Sequence, residues 1–357
     1  MKSKMIKSFV GILLTTAILT GCGSASSTTE TTDTKETVAV SSEADEAPVS
    51  QDPEGNLHYP VSVETYSVSS DGATWTPVVT SYEGGYERIM ANNQGTATLM
   101  IRLGLADRIA GVAAVFGPAP ADVSEEFAKI PVVAEGYASK EALLGVNPDF
   151  VAGRGDLFVD GDYGIGTVDD LNDMGIASYI THVGENNADF ESFLADIDNL
   201  GKIFDVEDKA GELKDFYIEL TNSLKSDERY AGKTMKMAEI SWIEDGMPVF
   251  GSAASETIQN EAFSMIGLDN INGYCEGDQV SIETVIAENP EIIVLFDYEG
   301  GPDMDEMIAS LYENEALSDI NAIKNKKVIA LDFNAIYGGS GDLYSSMKEL
   351  ADMVYGE

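Results

Sequence analysis

Between residues 61 and 79 apolar and polar positions alternate, with Val61, Val63, Tyr66 and Val68 followed by Trp75 and Val78. Ser70-Asp71-Gly72 interrupts the pattern, and Asp-Gly is a favoured two-residue turn, so a β-hairpin is predicted here. Continuous apolar runs then read as buried strands at 88–91, 108–112, 150–153 and 177–181, with a helical period at 96–103 and helix-like stretches before the later runs. Strands and helices in alternation describe a parallel sheet covered on both faces.

After residue 189 the period lengthens. Phe190, Phe193, Leu194, Ile197, Leu200 and Phe204, then Val206, Ala210, Leu213, Phe216, Tyr217, Leu220 and Leu224, recur at three or four residues. Asp205, with Asp208 three residues on, is expected to cap the second part. A helix over 207–226 would be roughly 30 Å long, longer than one small lobe needs, and so reads as a spine between two lobes. Strands are predicted again at 235–242, 247–250, 292–296 and 328–331, with helices at 255–266 and 343–355. The fold class is therefore α/β, two Rossmann-like lobes with mainly parallel sheets bridged by a single long helix: an N-terminal lobe over 58–204, the spine over 205–230 and a C-terminal lobe over 231–357. One phrase occurs in both lobes: Glu141 stands seven residues before Pro148-Asp149, and 142 residues later Glu283 stands seven before Pro290-Glu291. Each copy predicts a helix opening on the glutamate, a Pro-acid break and a buried strand.

The N-terminus changes the picture of compartment. Lys2, Lys4 and Lys7 precede an apolar run from Phe9 to Leu19, and Leu19-Thr20-Gly21-Cys22 follows. Residues 1–21 read as a signal segment, and the cysteine behind it resembles a bacterial lipobox, which makes Cys22 the candidate lipidated residue and the product an extracytoplasmic protein anchored to the bacterial membrane. Residues 22–57 are rich in Ser, Thr, Glu, Asp and Ala and poor in large apolar residues, so they are expected to form a disordered tether. Lipidation of Cys22 leaves Cys275 without a disulfide partner. The body must then be held by its core.

Charge excludes one class of partner. With 62 acidic and 21 basic residues the net charge is −41, a field that repels nucleic acid. Scattered over exposed helix faces, the acids also serve solubility alone. In open α/β sheets ligands sit beyond the carboxyl ends of the strands. That rule selects Asn92, Asn93 and Gln94, Phe116, Tyr137, Arg154 and His182 in the first lobe, and Trp242, Tyr274, Phe296, Tyr298, Phe333 and Tyr337 in the second. Arg154 stands out among only five arginines. Its guanidinium suits a carboxylate, catecholate or hydroxamate oxygen, or else it pairs with Asp156 as an ordinary loop residue. The aromatic residues suit the wall of a ligand cleft or, equally, lobe packing.

In order and spacing, YERIMA, LGLADRIAGVAA, SKEALLGVNPDFVAG, LGKIFDVEDKAGEL, SIETVIAENPEIIVL and AIKNKKVIALD resemble the substrate-binding proteins of the iron-siderophore, haem and cobalamin class of ABC importers. The likeness covers nearly all of residues 61–357. It implies a ligand cleft between two lobes joined by a stiff helix, capture of an iron(III)-siderophore chelate by a monomer without a cofactor, and delivery to a permease. It also implies that Glu141 and Glu283, at the matching positions, dock on permease arginines; the plainer reading is that both acids favour helix N-termini by up to about 1 kcal/mol. Cobamide or haem is the alternative cargo, and a non-transport signalling lipoprotein the alternative role. A bare Zn(II) or Mn(II) cargo needs several histidines, and only His58 and His182 are present. His182 is left between a satisfied loop residue and an axial ligand. No nucleophile elbow, phosphate loop or His-Glu metal motif occurs, so an enzyme is not expected.

Overall fold

The computed structural model describes residues 50–51, 57–161, 163–244 and 247–356. Cys22, the signal segment and residues 22–49 of the tether lie outside the described residues. Residues 48–357 form one compact unit. A short antiparallel ribbon, β1 (Ser50–Gln51) with β2 (Leu57–Tyr59), falls within and just after the stretch expected to be tether. His58 and Tyr59 bind main-chain oxygens near the end of the helix over 190–204, which gives this end of the tether a surface to order against. The predicted hairpin follows as β3 (Val61–Val68) and β4 (Trp75–Tyr82), in unbroken antiparallel register from Val61–Tyr82 to Val68–Trp75.

The first lobe runs through β5 (Ile89–Ala91), α1 (Gln94–Arg102), β6 (Ile109–Val112), α2 (Ser124–Phe127), α3 (Lys140–Gly145), β7 (Phe150–Gly153), α4 (Val168–Asp173) and β8 (Ala177–Ile180). Its four strands are parallel, in the order β6-β5-β7-β8. Helices α5 (Phe190–Phe204) and α6 (Glu207–Ser226) follow. The expected Asp205 cap is not formed. Asp205 ends α5 in the left-handed region at φ 56°, and Val206 precedes α6 without a side-chain cap. Turning from one helix into the next within two residues leaves no extended N-cap position for Asp205 to occupy.

The second lobe comprises β9 (Met235–Ile240), β10 (Trp242–Glu244), β11 (Met247–Gly251), α7 (Thr257–Met265), β12 (Leu268–Asn270), β13 (Gln279–Val280), α8 (Ile282–Glu288), β14 (Ile292–Asp297), α9 (Met304–Glu313), α10 (Asn321–Lys324), β15 (Val328–Asp332), α11 (Phe333–Tyr337) and α12 (Asp342–Tyr355). The strand expected over 235–242 is split at Ser241. Its first part enters the parallel sheet β12-β9-β14-β15, and Trp242 belongs to an antiparallel flap, β10-β11-β13. In both lobes the first strand lies between the second and the third, and the fourth lies outside the third.

Successive strand residues feed different cores, as alternation demands. Ile89, Ala91, Phe150 and Ala152 face a core shared with α5, α6, α7 and α12, whereas Met90 and Val151 face a separate one. Likewise Ile292 and Val294 join the shared core, and Ile293 and Leu295 a third. The two sheets thus present their inner faces to one continuous apolar layer that contains the spine helix.

Polar contacts lock the same joint. Arg102, at the end of α1, binds Asp122 at 2.9 Å and Asp342 at 2.6 Å, and donates to the Tyr217 hydroxyl of α6 and to the Ser340 carbonyl. Where α1 meets the loop after α11, a Cβ on Gly95 would stand 1.8 Å from the Gly338 oxygen, so only glycine permits the approach.

The repeated phrase has the same local structure in each lobe. Ser139 caps α3 by accepting from Ala142 N, and Ser281 caps α8 by accepting from Thr284 N. Asn147 and Asn289, at φ 48° and 50°, turn the chain before the prolines. The following acids then reach the neighbouring strand: Asp149 accepts from the amides of Glu87 and Arg88, and Glu291 from that of Lys236. Pro-acid therefore does more than end a helix; its carboxylate pins the amides just before β5 and at the second residue of β9.

Candidate functional site

A sheet whose first strand lies inside its second and third sends its connections in opposite directions, and the loops beyond that point form a crevice. In the first lobe these loops follow β5 and β7 and carry Asn92 and Arg154. In the second they follow β9 and β14; Trp242 opens the flap strand β10 just past β9, and Tyr298 follows β14.

Asn92 is fully buried, and its amide closes on the main chain of Arg154, accepting from Arg154 N and donating to Arg154 O, both at 2.9 Å. Asn93 caps α1 and donates across the lobes to Gly338 O at 3.1 Å. These amides, expected to meet ligand, are instead used inside the protein, because a strand-end asparagine buried beside main-chain groups must satisfy them. Gln94 donates to Pro118 O.

With its main chain so held, Arg154 keeps its guanidinium partly exposed. It pairs with Asp156 at 2.7 Å. Burial alone would weaken its charge, but Asp156 and the Tyr137 hydroxyl more than restore it. The ordinary ion pair and the proximity to Tyr137 thus coexist.

Tyr137 begins a row of rings that crosses between the lobes. Its ring lies 5.8 Å from Phe116, which lies 6.0 Å from Phe333. Phe333 touches Tyr298 at 6.2 Å and Tyr337 at 5.1 Å, and Tyr337 touches Phe296 at 5.1 Å. Offset and edge-to-face contacts of this kind stabilise by about 0.5–1.5 kcal/mol per pair beyond area burial. The Glu299 amide donates to Phe116 O at 2.7 Å, closing this side of the cleft.

Other candidates stand apart from the row. His182 is bound through Nδ1 to buried Asp196 at 2.8 Å and packs edge-on against Tyr66. Burial alone would lower its pKa, but Asp196 outweighs burial and the shift is upward. Tyr274 is 73% exposed, with its hydroxyl on Asp269. Trp242 lies on the flap beside Gly251.

Sequence reasoning missed three features near the cleft. Trp75 of the hairpin packs against Gly155 and Gly184, behind the loops of Arg154 and His182; a Cβ on Gly155 would stand 2.5 Å from the indole. Below Tyr337, whose hydroxyl donates to Glu256 at 2.8 Å, sits the buried carboxyl of Glu239. Its burial, with the Glu256 charge beside it, pushes its pKa up to about 8. Asp332, opposite Gly117, is also raised by burial. A readable signal existed for Glu239, an acid at an inward position of the apolar strand MKMAEI. None existed for Trp75, whose neighbours are distant in sequence.

Glu141 and Glu283 are exposed in the first turns of α3 and α8. Hydrogen bonds from its own amide and from Ser139 hold the Glu141 carboxyl below the usual range. An open hollow of about 330 Å³, lined by Ser139, Lys140, Asp160 and the glycines at 161, 164 and 166, lies beside it. Both helices connect parallel strands and so run opposite to them, which puts these glutamates at the level of the strands' carboxyl ends.

Comparison with known proteins adds four findings. A family model described as periplasmic binding protein matches residues 89–335. The petrobactin-binding protein YclQ of Bacillus subtilis is 29% identical over 177 residues, 48% of this chain and only 55% of that relative's length. A periplasmic binding protein from Veillonella parvula superposes with a TM-score of 0.71 at 25% identity, covering 83% of this chain and 99% of the other. An ABC-type Fe3+-hydroxamate transport system protein from Saccharomonospora viridis has a TM-score of 0.63 at 19% identity, over 84% and 100% respectively, and shares the fold. Among the described residues no helix is long and apolar enough to cross a membrane.

Proposed function

The chain belongs to the periplasmic binding protein family, and from that membership we propose that it is the lipid-anchored solute-binding component of an ABC importer, capturing an iron(III)-siderophore chelate outside the cytoplasmic membrane. The observation that carries the reading is the ring row from Tyr137 through Phe116 and Phe333 to Phe296 and Tyr298, which spans both lobes where Arg154 is held. Flat apolar walls beside one fixed guanidinium suit a compact chelate with an oxygen-rich edge. Similarity to a petrobactin-binding protein supports this cargo class. The mechanism is capture without chemistry: rings pack on the row, chelate oxygens meet Arg154, and the loaded body docks through Glu141 and Glu283. Cys22 holds it at the membrane. At a net charge of −41 the chain repels strongly anionic chelates, so a neutral or cationic one is favoured.

Trp75 packs behind the Arg154 loop and Trp242 lies on the flap of the second lobe, so intrinsic fluorescence of the body from residue 48 is the readout of binding. We expect saturable quenching by a ferric hydroxamate or catecholate at or below about 10 µM, roughly −7 kcal/mol. Cyanocobalamin and haemin are the parallel titrations. No quenching by any of them in that range overturns the proposal, and quenching by one of the last two alone reassigns the cargo.

A further inference from the structure

Where the tether meets the body, β2 lies against the end of α5. His58 Nε2 is 3.0 Å from the Lys202 carbonyl oxygen, which can only accept, so Nε2 carries the ring proton. Tyr59 donates to the next carbonyl, Ile203, at 2.7 Å, and its ring meets the imidazole edge-on at 4.5 Å. The imidazole is therefore held in one tautomer and one orientation.

Its other nitrogen, Nδ1, faces two carboxylates. Asp205 Oδ1 is 3.2 Å away and Glu207 Oε1 3.7 Å. With a neutral ring three acceptors face one another, an arrangement that a cation satisfies, whereas a protonated ring would pair with the two acids directly. All three ligand atoms lie within 4.8 Å of one another. At metal–ligand distances of about 2.0–2.2 Å the edges of an octahedral shell are about 2.8–3.1 Å and of a tetrahedral one about 3.3–3.6 Å, near the separations of 3.2 and 3.7 Å observed. A ring N–H given to a main-chain carbonyl is also the usual support of a metal-binding histidine.

We propose that His58, Asp205 and Glu207 form a divalent-cation site of the Zn(II) type, with three protein ligands and its remaining position open to water. It is independent of the cargo cleft. Asp205 and Glu207 flank the α5–α6 turn and His58 lies on the incoming strand, so a bound ion ties the tether's end to the start of the spine helix. Side-chain exposures of 63% for Asp205 and 49% for Glu207 make the site accessible and of moderate affinity.

The test uses residues 48–357, a compact unit carrying all three apolar cores. Zn(II) is titrated at pH 7.5 against a chromophoric competitor, and Co(II) is followed by its visible absorption. One equivalent is expected to bind in the micromolar range, with a Co(II) band that His58→Gln removes. Asp205→Asn and Glu207→Gln should each weaken binding by about tenfold or more, while circular dichroism and cleft binding stay unchanged. Absence of saturable binding below about 1 mM, roughly −4 kcal/mol, overturns the proposal. So does binding that survives His58→Gln, or a pH-dependent stabilisation lost in that variant with no metal effect, which would make the cluster an imidazolium ion pair.

Discussion

At the scale of single residues, Asn92 and Glu239 show how an expected ligand contact became support and how an unexpected acid came to lie below the cleft. Asn92→Ala removes both side-chain bonds to the Arg154 main chain and leaves buried groups unpaired, a cost of about 1–3 kcal/mol in unfolding free energy. Chelate affinity should fall with it, whereas Arg154→Gln should weaken binding with little loss of stability. Chemical denaturation and fluorescence titration of both variants separate support from contact. Glu239 is pushed up to about 8 from an ordinary 4.5 by burial and by Glu256. The folded chain keeps this proton after the unfolded chain has released it. Its contribution to stability is therefore full below about pH 4.5 and is lost as pH rises towards and through 8. Thermal unfolding at pH 5 and pH 8.5 should show the loss, and Glu239→Gln should flatten it; an unchanged difference would place the titration elsewhere.

At the scale of elements, the apolar pattern was sufficient for the hairpin, for the first-lobe strands, for β9, β14 and β15 and for α5 and α6, because each buries a face readable at period 2 or 3.6; it did not show the short β12 or α9. It located α5 and α6 at their observed bounds. The split at Ser241 was not legible, since Trp242 continues the apolar run and only pairing with β11 diverts it. Nor was the role of Arg102 legible, because its partners lie on α6 and before and within α12. Arg102→Ala leaves Asp342 buried without its cation, and the expected cost is about 3–5 kcal/mol in chemical denaturation. Gly95→Ala tests the same joint by steric means. Its Cβ cannot coexist with Gly338 O at the present spacing, so the variant should lose about 1–3 kcal/mol or more. A Gly95→Ala protein as stable as the parent would show that the lobes shift apart freely.

Over the whole molecule, one apolar layer runs from the first sheet through the spine helices to the second. Such a joint resists large hinge motion, and on the proposed function recognition by a permease would use features displayed on both lobes together. Glu141 and Glu283 are such features, one in each copy of the repeated phrase. Reversing either charge to lysine should abolish uptake in cells while chelate affinity in vitro stays within about twofold, below 0.5 kcal/mol. A drop in affinity instead would put these glutamates in the cleft.

By itself, the sequence determined the alternation of strands and helices, the two lobes, the long spine and the repeated glutamate-led helices with their Pro-acid breaks. All of these depend on neighbours within a few residues or on a regular period. Tertiary structure alone decided which strand-end residues meet. It drew Tyr137, Phe116, Phe333, Tyr337, Phe296 and Tyr298 into one row, turned Asn92 inward onto Arg154, and set His58 against Asp205 and Glu207. The partners in those contacts include residues more than a hundred positions apart, and their side chains carry no periodic signature. Strand pairing within the first sheet brings Asn92 to Arg154, and only the meeting of the two lobes brings Phe116 to Phe333.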